Sequence, residues 1–242
     1  MSKRRFIGAA IVGMAMVALA GGLIASNMGF KLNKTLIVSG QAVSGVGEVS
    51  PFTSLNGTST VGLPFNRQAG MTTAANLKAD IGANCVSVSK LLRGSNAAFA
   101  YTAARSGAGS VDFPLEEGIG YRARVTGASN LSYIIVGSDD PAYALSLVVA
   151  GQAVPEGGTS LNGTNDIADK YHATAATAGA LKAEIGAQCT AVTKFLASNN
   201  SAFSYTGARS GVGSVDFLLV PGESYRVRVT GATNVAYTAS QY

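Results

Sequence analysis

Ala74–Asn130 reads AANLKADIGANCVSVSKLLRGSNAAFAYTAARSGAGSVDFPLEEGIGYRARVTGASN, and Ala178–Asn234 repeats it as AGALKAEIGAQCTAVTKFLASNNSAFSYTGARSGVGSVDFLLVPGESYRVRVTGATN. The two stretches align without a gap at an offset of 104 residues, the difference between Cys189 and Cys85, and more than half of the aligned residues are identical. A self-match of this length means that one folding unit is used twice. The sequence therefore predicts two tandem homologous domains.

The repeated unit extends towards the N-terminus of each copy. Thr35–Val43 (TLIVSGQAV) recurs as Ser146–Val154 (SLVVAGQAV), and an Asn-Gly turn signal follows in both copies. The predicted divisions are a leader at residues 1–25, domain 1 at 26–137, a linker at 138–145 and domain 2 at 146–242. Residues 26–34 have no counterpart in the second copy and predict an extra strand.

Each copy contains one predicted helix among several strands. In the first copy Thr73 can cap a helix whose buried face holds Ala74, Leu77 and Ile81, and Gly82 can end it. So short a helix is marginal alone, so it must pack on a sheet. We expect an α+β, mainly β fold of two small sandwich or barrel-like domains. The strand candidates after the first helix are Cys85–Leu92, Ala98–Ala103, Ser110–Leu115, Tyr121–Thr126 and Leu131–Val136.

Two of these strands predict a hairpin. If Ser110–Leu115 pairs with Tyr121–Thr126, then Asp112 lies opposite Arg124. The second copy would place Asp216 opposite Arg228 in the same way, because all four residues are repeated.

The first 25 residues predict export. Lys3, Arg4 and Arg5 precede an uncharged apolar run that ends at Ala25, and polar residues follow it. This is the layout of a signal peptide, with cleavage after Ala25 as the favoured outcome and a retained membrane anchor as the alternative. The three basic residues account for more than half of the net charge of +5, so little positive charge remains to favour a nucleic-acid partner.

The residues that carry catalysis or bind cofactors are scarce. Cys85 and Cys189 occupy equivalent positions, which favours one buried thiol in each domain over a disulfide between them. His172 is the only histidine and no C-x-x-C occurs, so no metal site and no cofactor are predicted. The chain also lacks the G-x-S-x-G motif of many hydrolases, and we expect no enzymatic activity.

Two sets of side chains suggest a ligand-binding face as a second hypothesis. Arginine pairs alternate with apolar residues near the end of each copy, and each copy has a tyrosine on an earlier strand. Guanidinium groups bind anions and exposed rings stack on sugars, although paired strand faces and core packing are the more common uses. The candidate residues for a carbohydrate-binding or adhesive face are Arg122, Arg124, Arg226, Arg228, Tyr101 and Tyr205.

Several motifs resemble a family of secreted bacterial and archaeal surface proteins with tandem β-rich repeats. The matching pieces are Gly62–Phe65 (GLPF), Leu77–Ile81 (LKADI), Phe113–Leu115 (FPL) and Leu219–Val229 (LVPGESYRVRV). The start of the predicted mature chain, Ser26–Leu32 (SNMGFKL), is similar as well. The resemblance implies an extracellular location and a tandem architecture, and it transfers no active-site residues.

The leading functional hypothesis is an exported, non-enzymatic structural protein of the cell surface, with self-assembly into filaments as its sharper form. Met28, Phe30 and Leu32 alternate with polar residues, and such a strand can pair with the open sheet edge of a neighbouring copy. The alternative is that this strand begins the sheet of its own domain. The expected partners are other copies or surface glycans, and the membrane only through the leader before cleavage.

Overall fold

The computed structural model describes residues 29–43, 52–67, 70–102, 110–207 and 214–241. The protein is mainly β, with 42% strand and 8% helix, and the described residues form four antiparallel sheets and two helices. This confirms the predicted α+β, mainly β class. The predicted leader and Met28 lie outside the described residues. Among those described, no helix combines the length and the apolar character needed to span a bilayer.

The first repeat contributes two sheets. Its elements are β1 (Gly29–Leu36), β2 (Thr58–Gly62), β3 (Asn66–Arg67), α1 (Ala74–Ile81), β4 (Cys85–Leu91), β5 (Ala98–Tyr101), β6 (Gly120–Val125) and β7 (Leu131–Ser138). One sheet has the strand order β1-β7-β3 and the other has the order β2-β6-β4-β5. In the first sheet β1 pairs with β7 along its whole length, from Gly29 opposite Ser138 to Leu36 opposite Leu131.

The second repeat has the same plan with shorter terminal strands. Its elements are β8 (Leu145–Leu147), β9 (Thr164–Ala168), α2 (Ala178–Ile185), β10 (Cys189–Phe195), β11 (Ala202–Tyr205), β12 (Ser224–Val229) and β13 (Val235–Tyr237). The four-stranded sheet has the order β11-β10-β12-β9, and the second sheet pairs β13 with β8. The predicted linker overlaps both neighbouring strands, because β7 includes Ser138 and β8 begins at Leu145.

The predicted helix is confirmed residue by residue in the first repeat. Thr73 is the N-cap, and its side chain accepts a hydrogen bond from the Asn76 N–H, which satisfies one of the free donors of the first turn. Ala74, Leu77 and Ile81 are buried, and the helix ends at Gly82, whose φ is 106°. The α2 helix repeats this arrangement from its own threonine cap.

The predicted strand Ser110–Leu115 is wrong. Its bridge joins Pro114 to Thr73, the N-cap of α1, and β6 pairs instead with β2 and β4. The segment runs past the start of α1, where the Ala75 N–H donates to Asp112 Oδ1 at 2.8 Å. A carboxylate is favourable at a helix N-terminus because it complements the helix dipole.

The second repeat uses the same arrangement, which corrects the predicted cross-strand ion pairs. The Gly179 N–H donates to Asp216 Oδ1 at 2.6 Å, and the Thr177 hydroxyl is within 3.0 Å of Asp216 Oδ2. Asp112 and Asp216 therefore cap helices, and neither lies opposite Arg124 or Arg228.

The buried residues form two separate hydrophobic clusters, one for each repeat. Cys85 belongs to the first and Cys189 to the second, and both thiols are free. Burial raises the pKa of Cys85 to about 11 and also raises that of Cys189. Since the thiolate is the reactive form, these cysteines behave as small apolar side chains, as predicted.

Candidate functional site

The two repeats meet through main-chain hydrogen bonds made twice, at equivalent residues. The Gly62 N–H donates to the Gly222 carbonyl at 2.8 Å, and the Ala168 N–H donates to the Gly118 carbonyl at 2.9 Å. Gly62 ends β2 as Ala168 ends β9, and Gly118 aligns with Gly222 in the repeated stretch. The interface therefore has an approximate two-fold axis.

A second pair of hydrogen bonds between the repeats also joins equivalent residues. The Leu55 N–H donates to the Ala197 carbonyl and the Leu161 N–H to the Arg93 carbonyl, both at 3.0 Å. Because both side chains are largely exposed, with 60% of Leu55 and 62% of Leu161 accessible, these loops are held by their backbones. Two pairs of backbone hydrogen bonds therefore hold the repeats together.

The repeats also approach each other closely at Gly120 and Ser224, which are equivalent residues. A Cβ atom at Gly120 would lie 1.8 Å from Ser224 Oγ. No side chain fits there unless the strands move apart, so glycine is required for contact and not for its backbone angles.

Arg122 and Arg226 lie at equivalent places on β6 and β12, and both line cavities bordered by the two repeats. Arg226 binds Asp166 through two hydrogen bonds, Nε to Oδ1 at 2.7 Å and Nη2 to Oδ2 at 3.0 Å. Burial alone would lower the pKa of Arg226, but these hydrogen bonds and the carboxylate charge outweigh it and raise that pKa. Paired bonds of this kind are strong and directional.

Arg122 lacks the carboxylate that Arg226 has. The residue opposite it on β2 is Thr60, at the place where β9 carries Asp166 opposite Arg226. The Arg122 guanidinium instead lies 4.5 Å from the centroid of the Phe195 ring, a cation–π contact across the interface. Burial lowers the pKa of Arg122.

The outer arginine of each pair supports a turn. Arg124 Nε donates to the Asn56 carbonyl at 3.1 Å and Arg228 Nε donates to the Asn162 carbonyl at 3.2 Å. Both arginines are exposed, and each holds the Asn-Gly turn of its own repeat against the neighbouring strand.

The predicted ligand-binding face is not formed, because its tyrosines and arginines lie on opposite faces of the sheets. Tyr101 is opposite Val88, which in turn is opposite Ala123 on the core face, whereas Arg122 is opposite Ser89 on the other face. Tyr205 has the same place in the second repeat, and both rings are half-buried against their cores. Cross-strand neighbours share a face, so sequence alternation alone did not reveal which face each strand turns inward.

The predicted assembly strand packs within its own chain. Phe30 and Leu32 lie on β1, and the Phe30 ring stacks on Tyr171 of the second repeat with centroids 4.6 Å apart. Leu32 packs on Gly222, where an added Cβ would lie 2.2 Å from Leu32 Cδ2. The N-terminal half of β1 therefore connects the first sheet to the second repeat.

Glu223 joins charged groups from both repeats beneath this strand. Its two carboxylate oxygens lie 3.5 Å from Lys34 Nζ and 3.3 Å from Lys194 Nζ, and the Tyr225 hydroxyl is 3.0 Å from one of them. Burial would raise the pKa of Glu223, but the two ammonium groups outweigh it and lower that pKa. Its place in the first repeat is taken by Ile119, so this cluster exists once.

Two aspartates lie beside the same junction and line one cavity. Asp139 is buried and accepts a hydrogen bond from the Tyr171 N–H at 3.0 Å. Burial and the neighbouring carboxylates, that of Glu223 first, raise the pKa of Asp169 to about 7. The junction therefore takes up a proton near neutral pH.

The described residues contain no group of three or more histidine, cysteine, aspartate or glutamate side chains able to hold a metal ion. Asp216 is engaged in capping a helix and Asp166 in an ion pair with Arg226. What this arrangement offers chemically is a guanidinium beside a cavity, a group that can bind an anion.

No family model, no curated protein and no solved structure matches the chain. The resemblance to secreted surface domains therefore rests on the sequence motifs alone.

Sequence reasoning identified Arg122 and Arg226 but missed Asp166, Phe195 and Glu223. The sequence did contain a signal for Asp166. It aligns with Thr60 in the first copy, so a charged residue stands in one repeat where the other has a neutral one. Nothing local marks Phe195 or Glu223 as interface residues, since their partners lie in distant parts of the chain.

Proposed function

We propose that the protein is an exported, non-enzymatic structural protein of the cell surface or extracellular space. The observation that carries the proposal is the pair of equivalent main-chain hydrogen bonds between the repeats, from Gly62 to Gly222 and from Ala168 to Gly118. These bonds join the two repeats into one structural unit. Backbone pairing of this kind tolerates change in most side chains, which suits a building block better than a catalyst. The basic and apolar leader supports export.

Self-assembly is the sharper form of this proposal, and β1 is the element that supports it. Its eight residues border β7 on one side and have no strand neighbour on the other among the described residues. Lys31 is the one charged residue on its exposed face, and Ile134 and Val136 of β7 are 45% and 50% exposed beside it. An open edge next to apolar surface is a template for pairing with another copy.

The test follows the full chain through secretion and assembly. The full sequence is expressed in a secreting bacterial host, the N-terminus of the exported product is read by mass spectrometry, and particle size is followed by light scattering and electron microscopy. We expect a product that begins at Ser26 and forms polymers as concentration rises.

Variants at the edge identify the surface used. Deleting residues 26–34 would also remove Phe30 and Lys34 from the contact with the second repeat, so point changes are cleaner. Thr35→Lys adds charge to the exposed face of β1, and we expect it to suppress polymers without altering the melting temperature. Thr233→Lys, in an exposed loop, is the matched control. Retention of an intact Met1 inside the cell would contradict export, and monomers in every preparation would contradict assembly.

A further inference from the structure

Two guanidinium groups, those of Arg122 and Arg226, line one cavity between the repeats together with a single carboxylate, that of Asp166. Arg122 and Arg226 are related by the approximate two-fold axis, yet only Arg226 has a carboxylate opposite it. Each oxygen of Asp166 accepts one hydrogen bond from Arg226, so the carboxylate is oriented towards Arg226. The Arg122 guanidinium makes no hydrogen bond or ion pair with the described residues.

An unpaired, half-buried charge is costly, and the Phe195 ring offsets only part of the cost. A cation–π contact stabilises a guanidinium by less than a buried charge loses when it leaves water. Burial lowers the pKa of Arg122, and the Asp166 carboxylate, which acts in the opposite direction, offsets only part of this effect. An anion bound beside Arg122 would supply that charge.

Space for such an anion exists next to Arg122. A cavity of about 80 Å³ is lined by Ser89, Asn96, Arg122 and both members of the Asp166–Arg226 pair, with Lys90, Leu91 and Ala98 completing its walls. One water molecule needs roughly 10–15 Å³ by the same measure, so the cavity holds several atoms of a ligand. A second, smaller cavity also lies beside Arg122 and Arg226, and its lining includes the hydroxyl groups of Thr60 and Thr193.

Asn96 adds a second requirement to the ligand. Its Oδ1 atom is buried and has no hydrogen-bond partner among the described residues. A buried acceptor without a donor destabilises the fold, so an O–H group on the ligand would be favourable there. Hydrogen phosphate and acidic sugars both combine oxyanion acceptors with an O–H donor.

We propose that the cleft between the repeats is a binding site for a small hydroxylated oxyanion, held by Arg122 with Ser89 and Asn96. The class includes free phosphate and the acidic sugar units of polysaccharides. The site uses the sheet faces that the repeats turn towards each other, and it is independent of the tyrosine faces and of the β1 edge.

The chain provides its own design for the test. Thr60→Asp places in the first repeat the carboxylate that the second repeat has at Asp166, directly opposite Arg122. We expect this variant to melt at a higher temperature than the wild type in chloride and to lose its response to added phosphate. Wild-type protein should gain about 3–6 °C in Tm at roughly ten times the Kd for phosphate.

Controls separate the site from general salt effects. Phosphate strengthens apolar burial in any protein. The quantity to compare is therefore the phosphate-induced rise in Tm of the wild type minus the same rise in Thr60→Asp, both measured at equal ionic strength. Arg122→Gln should also lose phosphate binding in calorimetry, whereas Arg124→Gln, an exposed change of equal charge, should keep it. Arg122→Gln supplies the answer even if Thr60→Asp does not fold.

Glucuronate in place of phosphate distinguishes the two sources of the ligand. Binding of glucuronate with loss in Arg122→Gln would support recognition of an acidic sugar, and binding of phosphate alone would support a free ion. Equal responses of the wild type and Arg122→Gln to both compounds would overturn the proposal.

Discussion

At the scale of single residues, Asp169 links the junction between the repeats to pH. Burial and the carboxylates of Glu223, Asp139 and Glu184 raise its pKa to about 7, whereas the same group in the unfolded chain titrates near 4. Between these pH values the folded protein holds a proton that the unfolded chain has lost. The free energy of unfolding therefore falls as pH rises from about 4 to about 7, and this contribution is constant above that range.

The prediction is that Asp169→Asn stabilises the protein at pH 8 and has little effect at pH 4. An amide keeps the shape of the protonated carboxyl but cannot acquire its negative charge, so the buried like-charge repulsion is absent at any pH. Thermal unfolding of both proteins across this pH range measures the difference. Glu117→Gln, which removes a carboxylate elsewhere, is the control; a stabilisation by Asp169→Asn that is the same at pH 4 and pH 8 would contradict the assignment.

At the scale of elements, each helix depends on an aspartate from a segment that is not itself a strand. α1 and α2 have eight residues each, a length at which an isolated helix is marginal in water. Asp112 and Asp216 accept backbone N–H groups from the first turns and bring a negative charge to the positive ends of the helices. These contacts also fix the course of the segments that carry them.

We therefore expect Asp112→Ala and Asp216→Ala to lower the free energy of unfolding by about 0.5–2 kcal/mol each. The two effects should add, because the helices belong to separate clusters. Denaturant unfolding measures both quantities. Asn at either position keeps an acceptor and loses the charge, so it should cost less than Ala. If these aspartates instead paired with Arg124 and Arg228 as the sequence first suggested, Arg124→Gln would be as damaging as Asp112→Ala.

At the scale of the whole molecule, the matched hydrogen bonds and the β1 contacts join two cores into one structure. Leu55 and Leu161 donate backbone bonds across the interface, and Lys34 meets Glu223 from the other repeat. Units joined in this way gain or lose their contacts together, so we expect one cooperative unfolding transition with equal calorimetric and van't Hoff enthalpies.

Removing one main-chain donor should weaken that cooperation. Leu161→Pro eliminates the N–H that binds the Arg93 carbonyl while changing a side chain that is largely exposed. We expect a broader melting transition in scanning calorimetry, or two resolved transitions. Leu161→Ala keeps the N–H and should retain the wild-type profile. A single sharp transition in the proline variant at the wild-type temperature would show that this bond does not couple the repeats.

The sequence by itself determined the features that depend on neighbouring residues. The repeat predicted one plan used twice, and the cap and apolar spacing around Thr73, Leu77 and Ile81 predicted the helix within a residue. The Asn-Gly signal predicted the turns at Asn56-Gly57 and Asn162-Gly163, where Gly57 and Gly163 both have a φ of 73°. These signals are local, because capping, turn formation and one-sided burial each act over a few residues.

Only the tertiary structure decided which surfaces meet. Asp112 was expected opposite Arg124 and instead caps α1, and the extra strand was considered for assembly but half of it covers the second repeat. The pairing of Arg226 with Asp166, and the absence of a partner for Arg122, likewise arose from sheet faces far apart in sequence. Contacts between distant segments depend on the packing of the whole chain and on which face of each strand is buried, and a periodic pattern of residues is compatible with more than one such packing.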